Sequence, residues 1–193
     1  MSGALLLLPI ALVAALVNGA IGYGFSTLLV PLALIFYPSS VLSPGLVLAE
    51  VIMNGLALLM NLRASPRVIR RVLPMMIASL PGVVFGGYVL KTASAEGLRL
   101  WTFLVLLPLV LLQAAGWRRA IRAESLVSLP VGLGIGVLYA CTTISGPPLG
   151  LLFNNQGLTR DEFRAAISLF RITESIATAI VYTALGMYSA QSL

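Results

Sequence analysis

Three ionisable residues interrupt long apolar runs of the chain: Glu50, Arg171 and Glu174. Ionisable groups in such runs are costly, and they default to handling an ion, a proton or a charged substrate. Arg171 and Glu174 stand three residues apart, so on a helix they share a face and can pair. Two clusters of small and hydroxyl residues accompany them. The first is Asn18-Gly19-Ala20-Ile21-Gly22-Tyr23-Gly24, followed by Ser26 and Thr27; the second is Thr142-Thr143-Ile144-Ser145-Gly146-Pro147-Pro148. Glycine and proline at this density break a helix. A half-helix that starts at such a break offers free N–H groups and a positive dipole end, both suited to an anion. The candidate substrate-binding residues are Asn18, Gly19, Gly22, Tyr23, Gly24, Ser26, Thr27, Thr142, Thr143, Ser145, Gly146 and Arg171. Glu50 and Glu174 are the intramembrane groups able to couple protons or form an ion pair, and Asn54 is the nearest polar companion of Glu50. Two plainer readings compete: the small residues let helices pack closely, and the charges form a buried pair that fixes register.

Other chemistry has little support. The chain has no histidine and a single cysteine, Cys141, which excludes His-based metal sites and any disulfide within one chain. There is no GxSxG elbow and no HExxH, and Asp161-Glu162 falls in a solvated loop. No enzyme activity, metal or cofactor is expected. The net charge of +6 points to loop arginines that set membrane orientation rather than to nucleic acid.

The elements that must hold these residues are membrane helices. Of 193 residues, 59% are hydrophobic and 9% charged, too few charges to cover a water-facing surface; mean hydropathy is +1.03. Apolar runs predict an all-α transmembrane bundle of about six segments, near 4–36, 45–62, 72–90, 99–117, 126–153 and 164–186. The N-terminus lacks the basic region of a cleavable signal, so the first run is kept as a mature span. Arg63, Arg67, Arg70 and Arg71 in one loop, with Arg118, Arg119 and Arg122 in another, predict that loops 63–71 and 118–124 are cytoplasmic, with both termini on that side. The first segment is too long for one straight span: as a single helix it would measure roughly 50 Å against a core of about 30 Å, so it must bend, break or re-enter.

The two breaks correspond. Pro9 precedes the first much as Pro130 precedes the second, and each break leads to a half-segment, a polar turn and a full span carrying Glu50 or Glu174. The chain therefore reads as two related units, 1–117 with four segments and 118–193 with two. Four crossings return a chain to its starting side, so the units are expected to lie parallel. Paired Gly/Pro-interrupted segments in two halves are a pointer to a transporter binding site.

Asn18-Gly-Ala-Ile-Gly-Tyr-Gly-Phe-Ser-Thr-Leu-Leu-Val-Pro31 resembles the glycine-rich first helix of the sulfite exporter TauE/SafE family, and Leu133-Gly-Ile-Gly through Ser145-Gly-Pro-Pro148 resembles its repeated element. Gly19, Gly22, Gly24 and Pro31 match the first motif. In the second, Thr142, Thr143 and Ser145 stand where glycines are usual. The resemblance implies tandem halves in a bacterial inner (plasma) membrane and export of a small sulfur oxyanion, sulfite or an organosulfonate. Its members continue with further helices beyond the 164–186 span, which implies that this chain is cut short. The expected partners are the lipid bilayer, a small anionic substrate and, in some arrangements, a second copy. The alternative function is a non-transporting assembly or scaffold subunit whose broken helices pack against another protein.

Overall fold

The computed structural model describes residues 2–61, 66–116, 124–154 and 157–188, and every regular element among them is a helix. In chain order these are α1 (Ser2–Ile21), α2 (Phe25–Ala33), α3 (Ser39–Met60), α4 (Pro66–Thr92), α5 (Ala95–Ala114), α6 (Glu124–Thr142), α7 (Gly146–Asn154) and α8 (Arg160–Ala184). Four of them, α3, α4, α5 and α8, are long and apolar enough to cross a bilayer. The chain is a polytopic helical membrane protein, as its hydropathy predicts. Large apolar side chains such as Leu12, Leu16, Ile52, Phe85, Trp101 and Leu104 are exposed on its outer faces, where lipid rather than water is the solvent.

The two overlong segments are broken where their sequences demand it. Gly22 and Gly24 take φ of +94° and +121° between α1 and α2, a region that glycine enters without cost. Thr143 takes φ +58° between α6 and α7, although a β-branched side chain resists it. Pro147 and Pro148 fall in the first turn of α7, where their missing N–H groups lose no helical bond.

Each broken segment doubles back on itself. Phe25 and Leu29 of α2 pack with Ala14 and the Leu7–Ala15 stretch of α1, so α2 folds back along α1. Leu149, Leu152 and Phe153 of α7 pack with Val68 and Val72 near the start of α4 and with Ala166 and Phe170 in the first half of α8, so α7 returns toward the side where α6 began. The strand of contacts along each remaining pair fixes direction. Gly132 and Gly136 of α6 meet Met75 and Ser79 of α4, making those helices parallel. Gly87 and Lys91 of α4 meet Val181 and Leu185 of α8, so α8 runs the same way. Glu50 meets Arg171 and Val47 clusters with Tyr182, so α3 runs opposite to α8. In α1, Asn18 meets Arg171 while Ala20 and Gly22 meet Arg164, so α1 also opposes α8.

This corrects two expectations. The triplets α1–α3 and α6–α8 lie inverted rather than parallel, because the first segment doubles back and only α3, α4 and α5 separate the two hairpins. For the same reason α1 begins, and α8 ends, on the side opposite the ends of α3 and α5, whereas both termini were expected beside the arginine-rich loops. Of the seven arginines that carry the expected orientation, Arg63, Arg118, Arg119 and Arg122 lie outside the described residues, as do Asn155, Gln156 and the last residues, Ser192 and Leu193. Re-entry of α7 places Arg160 and Arg164, at the start of α8, on the same side as the arginine-rich connections.

Two features hold the centre. Helices α4 and α6 touch backbone to backbone: a Cβ on Gly82, Gly132 or Gly136 would collide with a main-chain oxygen of the other helix, and one on Gly86 would lie 2.7 Å from the Val137 carbonyl oxygen. These are two GxxxG pairs facing each other. Polar caps set the helix ends: Thr159 and Glu162 form a capping box on α8, Lys91 donates to the Leu185 carbonyl at 2.8 Å, and Arg164 donates to the Ala20 carbonyl at 2.6 Å.

Candidate substrate site at the helix breaks

The N-termini of α2 and α7 start near each other in the interior and lead away to opposite sides. A Cβ on Gly146, the first residue of α7, would lie 2.8 Å from the Tyr23 ring and 3.4 Å from the Thr27 hydroxyl. Gly146 therefore admits Tyr23 and Thr27 because it carries no side chain. Gly150, one turn on, is held open by the Tyr23 hydroxyl in the same way. Gln113 at the end of α5 ties this junction together, donating to the Pro147 carbonyl at 2.8 Å and to the Tyr23 hydroxyl at 3.3 Å.

Beside the junction lies a buried polar network. Arg171 donates through one Nη to Glu50 at 2.8 Å and through the other to the Asn18 side-chain oxygen at 3.2 Å. Glu50 also accepts from Ser26, in the first turn of α2, and from the Tyr139 hydroxyl at 2.6 Å. Five helices thus meet on one ion pair: α1 through Asn18, α2 through Ser26, α3 through Glu50, α6 through Tyr139 and α8 through Arg171. Both charged side chains are almost wholly shielded, with residue exposures of 1% for Glu50 and 2% for Arg171. A buried pair persists only when further hydrogen bonds satisfy its remaining atoms. Glu50 meets this condition with three donors; Arg171 keeps one N–H, on Nε, without a protein partner among the described residues.

Arg171 pairs with Glu50 rather than with Glu174, the partner three residues along its own helix. The fork of its guanidinium points at α3 and α1, and Glu50 is the acid it reaches. Glu174 instead faces the second break, with the Ser145 hydroxyl as its polar neighbour; among the described residues neither its carboxylate oxygens nor that hydroxyl has a partner at close hydrogen-bond distance. The Asn54 amide nitrogen, one turn from Glu50, is buried and unpaired as well.

The structure brings together only part of the sequence-derived set. Asn18, Tyr23, Ser26, Thr27, Ser145, Gly146 and Arg171 converge with Glu50 and Glu174. Gly22 and Gly24 make the turn, and Gly22 sits against the Arg164 stem. Gly19 is exposed, and a Cβ added to it would meet nothing within 4 Å, so it stands apart from the junction. Thr142 donates to the Leu138 carbonyl at 2.7 Å and accepts from the Ile144 amide, and Thr143 donates to the Thr142 carbonyl at 2.7 Å, so both hydroxyls finish α6 rather than face the junction. Tyr139 and Gln113 were not singled out from sequence. Their only signal was a hydrogen-bonding group inside an apolar helix, which marks a residue that needs a partner.

A family model described as Sulfite exporter TauE/SafE matches residues 7–193. No curated protein and no solved structure matches the chain.

Proposed function

Because the chain belongs to the sulfite exporter TauE/SafE family, we propose that it is a secondary transporter that exports a small oxyanion, sulfite or an organosulfonate, from a bacterial cell across the inner membrane. The observation that carries this reading is the convergence of the α2 and α7 N-termini beside Arg171. Two positive dipole ends and one guanidinium favour an oxyanion there, and the unpaired Arg171 Nε–H and Asn54 amide supply further donors.

Charge balance then dictates coupling. With Glu50 ionised, Arg171 is already neutralised, and an arriving anion gains little from it. A proton taken up on Glu50 removes the competing carboxylate and turns Arg171 and Asn18 toward the substrate. Substrate and proton thereby occupy the centre together, and the membrane potential acts on whatever net charge they carry. Two hairpins entering from opposite sides support an alternating exposure of this centre, each hairpin gating one side.

Flux of labelled sulfite into or out of proteoliposomes tests the proposal. Saturable flux that collapses in Arg171→Ala is expected; the absence of saturable flux, or the same flux in Arg171→Ala, overturns it.

A further inference from the structure

One face of α8 carries Glu174, Thr178 and Tyr182 at successive four-residue steps, and all three are wholly buried. Its two ends are anchored to the second helix break. Glu174 lies against Ser145, and the Tyr182 hydroxyl donates to the Ala140 carbonyl in the last turn of α6. Thr178 lies between Glu174 and Tyr182 on the same face of α8 and is wholly buried. Its hydroxyl has no protein partner among the described residues. That is unusual on this helix: Thr173, Ser175 and Thr183 all donate to carbonyls of their own preceding turn, at 3.0, 2.8 and 2.8 Å. Thr178 has kept its oxygen for something else.

Among the described residues, the oxygens without a close partner on this side are thus both of Glu174, that of Ser145 and that of Thr178. They carry a single formal negative charge and no nitrogen or sulfur. An all-oxygen set suits a hard cation, and one negative charge suits a monovalent one. The last turn of α6 adds its negative dipole end, and a half-helix C-terminus is where a transported sodium ion finds main-chain oxygen. Arg171 directs its guanidinium hydrogen bonds at Glu50 and Asn18 rather than at these oxygens.

We infer that Glu174, Ser145 and Thr178 form a sodium-binding site at the second helix break, separate from the oxyanion position beside Arg171. A bound sodium ion would neutralise Glu174, and any part it plays in transport rests on the proposed function.

The test uses the purified full chain in detergent without any oxyanion, melted in sodium, potassium or choline chloride at one ionic strength. A saturable rise of the melting midpoint specific to sodium is expected, since a ligand that binds only the folded state stabilises it by mass action. Glu174→Gln should abolish the rise, and Thr178→Val should weaken sodium affinity by about tenfold, while Thr178→Ser retains it. Should Glu174→Gln fail to fold, Thr178→Val and Thr178→Ser carry the comparison. Equal midpoints in the three salts, a sodium rise unchanged in the variants, or a midpoint that moves with pH but not with sodium overturns the site. Because no oxyanion is present, that failure leaves the flux measurement independent.

Discussion

Arg171 and Glu50 are 121 positions apart in sequence and 2.8 Å apart in the structure, and they join α8 to α3 inside the membrane. Removing one partner strands the other charge in a dry interior. Glu50→Ala and Arg171→Ala should each cost about 3–5 kcal/mol of stability. The exchange to a matched apolar pair, Glu50→Leu with Arg171→Met, should recover much of that loss while transport stays absent. Thermal unfolding in detergent, paired with flux, separates the two effects.

Tyr139 supplies one of three hydrogen bonds to Glu50, at 2.6 Å. Tyr139→Phe keeps the ring and removes the donor, so a loss of about 1.5–3 kcal/mol is expected from a charge-assisted bond. If a proton on Glu50 frees Arg171, the variant should also shift the pH profile of sulfite flux, because Tyr139 holds the ionised carboxylate. An unshifted profile would confine Tyr139 to a packing role.

Thr143 occupies a left-handed backbone conformation at φ +58°. An L-residue other than glycine there costs about 1–2 kcal/mol. Thr143→Gly should therefore raise the melting midpoint, with a net gain of about 1 kcal/mol once the added freedom of the unfolded chain is subtracted. Gly24→Ala should do the reverse, since φ is +121° and Val17 already lies 3.3 Å from where a Cβ would stand.

Re-entry of α6–α7 predicts a labelling pattern. With Cys141 replaced by serine, single cysteines at Ala95, Asn154 and Ala184 report on the connections nearest them. Ala95 and Ala184 should react with an impermeant maleimide from the same side, and Asn154 from the other. A straight fifth crossing would instead group Ala95 with Asn154.

Much of this was legible in the sequence. The breaks at Gly22–Gly24 and Thr143–Ser145 were visible because glycine, proline and clustered hydroxyls are poor helix formers in any context. The direction of the chain after each break was not. An apolar run of some 33 residues has the same hydropathy whether it crosses bent or turns back, and only the contacts of Phe25 and Leu29 with α1 decide it. That single ambiguity reversed the relative orientation of the two triplets. The choice between Glu50 and Glu174 as the partner of Arg171 was open for a related reason: spacing along one helix reveals Glu174 as a neighbour, but says nothing of Glu50 on another helix. Gly82, Gly86, Gly132 and Gly136 lay in plain view, yet glycine four residues apart names a close contact without naming its partner.

The contact those glycines make bears on how the molecule can move. Side-chain interfaces slide by changing rotamers, but the α4–α6 interface has none to change where it is tightest, at Gly82, Gly86, Gly132 and Gly136. It is a weld rather than a bearing. Any rocking that exposes the centre first to one side and then to the other must turn about this fixed pair, with α1–α2, α7 and α5 as the parts left to swing.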